Sequence, residues 1–168
     1  MENEMTQLSV NKLCLNSGKP VVEDSIGVYE GVKIGFCNPG CRDSFQENPE
    51  GHPHILGAYF PNGRLNVYDP KEFVSERAWG KKYIANMGEI GIRLHYTDEP
   101  YVWHENDGQE VFVVLDGTVE MRYERQGTAY KSVLLTQGMF AHMEEGCRHV
   151  AYPQGAARIL VIERLGSL

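Results

Sequence analysis

From Ile90 onward, short runs rich in Val, Ile, Tyr and Phe recur, with Gly, Asp, Asn and Pro between them. The runs cover residues 90–96, 110–115, 118–124, 130–135, 139–143, 149–152 and 159–164. Strands at a spacing of roughly 8–12 residues are the signature of an all-β sandwich or barrel. Asp116-Gly117 and Gln126-Gly127 have the composition of hairpin turns. With 42% hydrophobic and 23% charged residues, the chain has enough apolar surface for a real core.

Charge and patterning exclude several classes. A formal charge of −7 offers no basic footprint for nucleic acid. No apolar run approaches the roughly 18 residues of a membrane span. The start, MENEMTQLSVNK, is acidic and lacks the apolar segment of a secretory leader, so a cytoplasmic location is expected. Cys14, Cys37, Cys41 and Cys147 are then expected as thiols or metal ligands rather than disulfides.

Strand alternation puts Glu110, Phe112 and Val114 on one face of the 110–115 run, the inward one. A carboxylate inside an apolar barrel is costly unless something pairs it. His104 lies six residues before Glu110, and His149 comes some forty residues later, in a strand after a glycine turn. Two imidazoles and one carboxylate form a facial triad. It suits non-heme Fe(II), and also Mn, Ni or Zn, and leaves coordination positions open for water or substrate.

These segments resemble the two motifs of the cupin superfamily, over about residues 72–165. His104, Glu110 and Gly117 match the first motif; Gly138, Gly146 and His149 match the second. Asn106 stands where the second His of the first motif belongs, Glu144 replaces a Pro, and Pro153 replaces an Asn. The resemblance implies a mainly β fold, a double-stranded β-helix (jelly roll, RmlC-like), holding a divalent metal. Asn106 would join the ligand set only through its side-chain oxygen. Dioxygenases of the 3-hydroxyanthranilate type also use a His and a Glu six apart plus one distant His.

Other residues on these strands are candidates to touch a substrate. Arg93 and His95 share one face of the 90–96 run, and Ile92, Leu94 and Tyr96 the other. With the first pair inward they would read an anionic or hydroxylated molecule; with the apolar trio inward they would face solvent. His142, on the second-motif strand, either reaches the cup or lies at the surface. Met121 and Tyr123 alternate with charged residues as core positions, Trp103 reads as a wall residue, and Cys147 as a buried free thiol or a redox-sensitive neighbour of the metal.

The first third of the chain has a different texture. Two strand-like pieces, 25–29 and 32–36, flank Glu30-Gly31 as a hairpin, and 42–48 reads as a short helix stopped by Pro49. The hairpin can bring Cys14 to Cys37 and Cys41, which lie across the Asn38-Pro39-Gly40 bend. The spacing, Gly-Lys-Pro-Val after Cys14, and Phe36-Cys37 before the bend resemble the YHS/TRASH modules. That resemblance implies a small treble-clef or knuckle-like site for Zn or another soft metal. A fourth ligand is missing, and His52 and His54 are the candidates. The expected organisation is a module over 1–55, a connector over 56–71 with 63–68 as a possible strand, and a barrel over 72–168.

Two functions follow. One is a small-molecule metalloenzyme of the oxygenase or isomerase kind. In it His104, Glu110 and His149 hold the ion, and Arg93, His95 or His142 orient or protonate the substrate. The other is a non-catalytic protein that binds or senses metal or a small ligand. A purely structural barrel is the weakest reading. A homodimer is expected, because Val111, Val113 and Leu115 form a second apolar face on the Glu110 strand.

Overall fold

In the computed structural model, which describes residues 9–124 and 128–167, the N-terminal part begins with a turn around Cys14, closed by a bridge between Leu13 and Pro20. Strands β1 (Ile26–Tyr29) and β2 (Val32–Gly35) form an antiparallel hairpin. Its turn residues, Glu30 and Gly31, both have positive φ, the geometry that matches strand twist. Helix α1 (Pro39–Glu47) starts where Asn38 accepts the Cys41 N–H at 2.9 Å, with Pro39 at the first helical position. It stops at Asn48, before Pro49.

The connector differs from expectation. Residues Pro53–Tyr59 form helix α2, which buries His54, Ile55 and Leu56. Residues 63–68 form no strand: Leu65 and Val67 are 86% and 82% exposed. They alternate with polar neighbours as strand residues do, but no second surface covers them. Ile34, Phe36, Phe45, Ile55 and Leu56 pack with Cys14, Leu15 and, from the far end of the chain, Leu165.

The remaining strands make two facing antiparallel sheets. They are β3 (Gly80–Met87), β4 (Ile90–Thr97), β5 (His104–Glu105), β6 (Glu110–Asp116) and β7 (Thr118–Glu124). Then come β8 (Lys131–Thr136), β9 (Phe140–Met143), β10 (Arg148–Pro153) and β11 (Ala157–Arg164). The sheet orders are β3-β4-β11-β6-β9 and β5-β10-β7-β8, the crossed connectivity of a jelly roll. Their core includes Phe112, Val114, Val119, Met121, Met143, Ile159 and Val161. Tyr123, read as core, is only half-buried. Asp116-Gly117 turns β6 into β7; the Gln126-Gly127 turn lies outside the described residues. Among the described residues no helix is long and apolar enough to cross a membrane.

The two parts are closely joined. His54 stacks on Tyr83 of β3 at 4.8 Å. Gly18, at φ 72°, lies so close to the C-terminal segment that a Cβ there would sit 2.0 Å from the Gly166 nitrogen. Gly18→Ala therefore combines a left-handed backbone with a clash against backbone. The expected loss is about 2 kcal/mol or more. At 2–4 °C per kcal/mol, that is a fall in Tm of roughly 4–8 °C, read by differential scanning calorimetry. An unchanged Tm would show that the two parts do not meet there.

Candidate functional site

The two strands that carry the histidines are neighbours. β5 pairs with β10 so that His104 and His149 are register partners, with ring centroids 4.3 Å apart. Each ring is fixed by the carbonyl two residues before it: His104 Nδ1 lies 3.0 Å from Val102 O, and His149 Nδ1 lies 3.1 Å from Cys147 O. A carbonyl only accepts, so each Nδ1 carries a hydrogen and each Nε2 is left to hold a proton or a metal ion. Glu110 opens β6 and is 5% exposed. Its Oε2 stands 3.5 Å from His149 Nε2. One ligand atom from each of His104, Glu110 and His149 lies within 4.8 Å of the others. A lone pair facing a carboxylate oxygen requires something positive between them, a proton or a metal ion.

Burial raises the Glu110 carboxyl, but hydrogen bonds from His149 and Asn106 and the charge of the two imidazoles outweigh it, so it sits below its ordinary value. Burial lowers His149, yet its contact with Glu110 wins and raises it. His104 is lowered, mainly by burial. Asn106 has a different place from the one its motif position implies. It is 2% exposed, and its Nδ2 donates to Glu110 Oε2 at 2.6 Å. Its Oδ1 is buried without a hydrogen-bond partner. As placed, its amide nitrogen fixes the carboxylate.

A cavity of about 290 Å³ opens above these residues. Arg93 and His95 both line it, which settles the open question on β4. Leu94, on the opposite face, is buried as well, because β4 is covered on both sides. Arg93 Nη1 donates to Glu163 Oε1 at 2.9 Å. Burial pushes Glu163 up to about 7, against the pull of Arg93. Burial and the Arg93 charge push His95 down to about 4, so it is neutral at pH 7. His142 does not reach the cavity. It pairs with Val111 in register, on the face away from Glu110 and Phe112, and bonds Gln109 Oε1 at 2.9 Å.

Two charged lining residues escaped the sequence reading. Glu163 follows Ile159 and Val161 in the inward phase of β11, the same signal that exposed Glu110. Lys81 sits on β3, an edge strand whose Lys81-Lys82 pair hid its alternation.

The thiols of Cys14, Cys37 and Cys41 also converge, within 4.8 Å of one another, and all four cysteines are free. Ser17 Oγ donates to Cys37 Sγ at 3.1 Å, and Asn38 Nδ2 does so at 3.2 Å. Burial raises Cys37, but bonds from Ser17 and the other two thiols outweigh it and lower it. Burial pushes Cys41 up to about 11, and the charge of Cys14 and Cys37 adds to that. Three thiolates this close need a cation to ionise together. Neither histidine candidate joins them. His52 bonds Ser44 at 3.2 Å, and His54 meets Asn16 Oδ1 at 2.7 Å while stacking on Tyr83. Cys147, expected buried, is half-buried; burial raises its thiol, and the charge of Glu110 and Glu144 adds to the effect. Ser17 also lines the barrel cavity, so the Cys cluster abuts the barrel interior.

No family model matches the chain, and no curated protein matches it. Solved structures do. A hydroquinone 1,2-dioxygenase from Sphingomonas sp. TTNP3, in complex with 4-nitrophenol, is 20% identical with a TM-score of 0.54. The match covers 60% of this chain and 32% of the dioxygenase. A conserved protein of unknown function from Streptococcus pyogenes is 16% identical over 60% of this chain and 88% of its own, with a TM-score of 0.50. A cupin-2 domain protein from Shewanella frigidimarina NCIMB 400 is 25% identical over 54% of this chain and 84% of its own, with a TM-score of 0.48.

His54 gives this region a pH signature. Burial, helped by His52, pushes it down to about 3 from an ordinary 6.5. The unfolded chain takes up the proton first, so the stabilising effect is complete above 6.5 and is lost as pH falls toward 3. Lowering pH from 6.5 to 5.5 should cost the wild type about 1 kcal/mol more than His54→Gln, measured by urea unfolding. Equal losses in the two proteins would place His54 in water.

Proposed function

We propose that the jelly-roll barrel is a metal-dependent enzyme of the cupin kind acting on a small molecule, by oxygenation or isomerisation. In this reading His104, Glu110 and His149 hold one divalent ion, Fe, Mn, Ni or Zn. The observation that carries it is the pair of imidazoles anchored through Nδ1, which leaves both Nε2 atoms to meet a buried carboxylate. A divalent ion bound there supplies Lewis acidity and open positions for water or substrate. Asn106 holds the carboxylate in place through Oε2. Arg93 and His95 orient the substrate, and the apolar walls, Trp79 and Phe112 among them, exclude water. The likeness to a dioxygenase fold agrees with the oxygenase side of this reading.

Cys14, Cys37 and Cys41 form a second site in this proposal, for Zn or another soft ion, within a YHS/TRASH-like module of residues 1–55. The fourth position then falls to a group other than His52 and His54, such as water. Free cysteines fit a cytoplasmic protein. Metal analysis of the purified chain tests both sites. His104→Ala with His149→Ala should remove one equivalent of metal and leave the thiolate-bound ion, and Cys37→Ser with Cys41→Ser should do the reverse. Metal content unchanged by the histidine pair would sink the barrel reading.

A second reading, a protein that senses metal or a small ligand without turnover, is favoured by Ser17, which touches both Cys37 and the cavity. It requires that chelating the Cys-bound ion change ligand binding in the barrel, as titration calorimetry would measure. We also propose a homodimer through the outer face of β6 and β9. Val111 and Val113 are half-buried there, and Phe140, the register partner of Val113, is 70% exposed. Light scattering should give twice the chain mass, falling toward one chain for Phe140→Asp. A wild type that is monomeric at micromolar concentration would overturn the dimer.

A further inference from the structure

Trp79 holds a backbone conformation that a bulky residue rarely adopts. The Gly80 N–H donates to Arg77 O at 3.1 Å and closes a turn over residues 77–80. Trp79, at the third position, has φ 56°, and Ala78 before it is not in the positive-φ region. That is the type II pattern, whose third position favours Gly or Asn. Gly80, next in line, answers another constraint: it opens β3, and a Cβ on it would sit 2.2 Å from Ser75 Cβ. The left-handed position therefore falls on a tryptophan. Backbone strain of this kind collects where a side chain must be held in one place for a ligand.

The indole is held at the barrel cavity. Its Nε1 donates to Glu99 O at 2.9 Å, and the ring packs against the barrel core and lines the cavity. Tyr101, also in the lining, meets it edge-on with centroids 5.0 Å apart, and meets the ring of His104 edge-on at 5.1 Å. An aromatic row thus runs from Trp79 to the His–Glu cluster. Phe112 adds a third aromatic group to the lining. His95 is tilted 60° from the indole. Among the described residues no ring lies flat against Trp79.

We propose that the cavity takes a substrate built on one planar aromatic ring, and that Trp79 is the specificity-determining residue that stacks on it. The inference rests on the reading of this cavity as the reaction site. Indole presents a broad π-face, and a flat ring set off-centre over it gains quadrupole attraction beyond the burial that any apolar group gains. A puckered saturated ring of the same size gains the burial alone. At about 290 Å³ the cavity has room for one ring with short substituents.

Benzyl alcohol and cyclohexylmethanol carry the same hydroxymethyl group and differ only in the ring. The saturated ring is the more apolar, so a cavity selecting by burial alone favours cyclohexylmethanol. Calorimetric titration of the full, chelator-stripped chain should instead show benzyl alcohol binding about fivefold more tightly. Trp79→Leu should remove that preference, and Trp79→Phe, which keeps a ring, should retain most of it, with melting curves to show that both are folded. The chain has two tryptophans, so Trp103→Phe leaves Trp79 as the sole indole, and benzyl alcohol should change its emission. The proposal is overturned if benzyl alcohol does not bind, if cyclohexylmethanol binds as tightly, or if Trp79→Leu keeps the preference. Should Trp79→Leu fail to fold, an indole emission unchanged at saturating benzyl alcohol overturns it equally. The titrations are repeated with Co(II). A ring preference without Co(II) uptake at His104 and His149 removes the metal reading and keeps this one; such uptake without a ring preference does the opposite.

Discussion

A carboxylate buried on an apolar strand is the constraint around which the barrel interior is arranged. Glu110 occupies the inward phase of β6, followed there by buried Phe112 and Val114. Leaving it unpaired there would cost several kcal/mol. The chain answers with three groups from two other segments: the Asn106 amide, the His149 ring and the His104 ring. Each is held in turn by something rigid. The imidazoles hang from backbone carbonyls, and β5, only two residues long, exists as the rung that brings His104 opposite His149. The polar cluster is therefore preorganised by hydrogen bonds that do not depend on whatever occupies its centre.

The Cys cluster follows the same logic with different chemistry. Its thiols meet at the capped start of α1, where Asn38 serves both the helix N–H of Cys41 and the sulfur of Cys37. Ser17 ties the cluster to the cavity wall. Its hydroxyl has one hydrogen, so while it donates to Cys37 it can only accept from the cavity side. The Cys cluster and the barrel cavity thus share a side chain rather than merely a chain.

Much of this was legible in the sequence because alternation and turn chemistry are strong signals where strands are central. The runs at 110–115 and 118–124 sit close to β6 and β7, and Glu110 stood out as the polar residue in an apolar phase. The reading failed where a strand lies at an edge or an element is short. β3 carries consecutive lysines, and β5 has too few residues to show any period. The 63–68 segment erred the other way, alternating without a sheet to join. Position along a motif also misled: Asn106 occupies a ligand's slot yet turns its nitrogen to Glu110, and His142 follows the right glycine but on the outward phase. Phase relative to the sheet decides such cases, and spacing alone does not carry it. The pairing of Arg93 with Glu163 joins residues seventy apart and had no local trace.

Leu165 closes the core formed by Cys14, Phe36, Phe45 and Leu56. A ribosome makes the thiol-bearing segment first, but that segment lacks one wall of its core until nearly the whole barrel has been synthesised. During that interval its three cysteines stand in an incomplete shell, open to solvent and to any passing thiophilic ion. The order of synthesis and the order of completion therefore run in opposite directions. The turn at Leu165 is what shuts the core around Cys14.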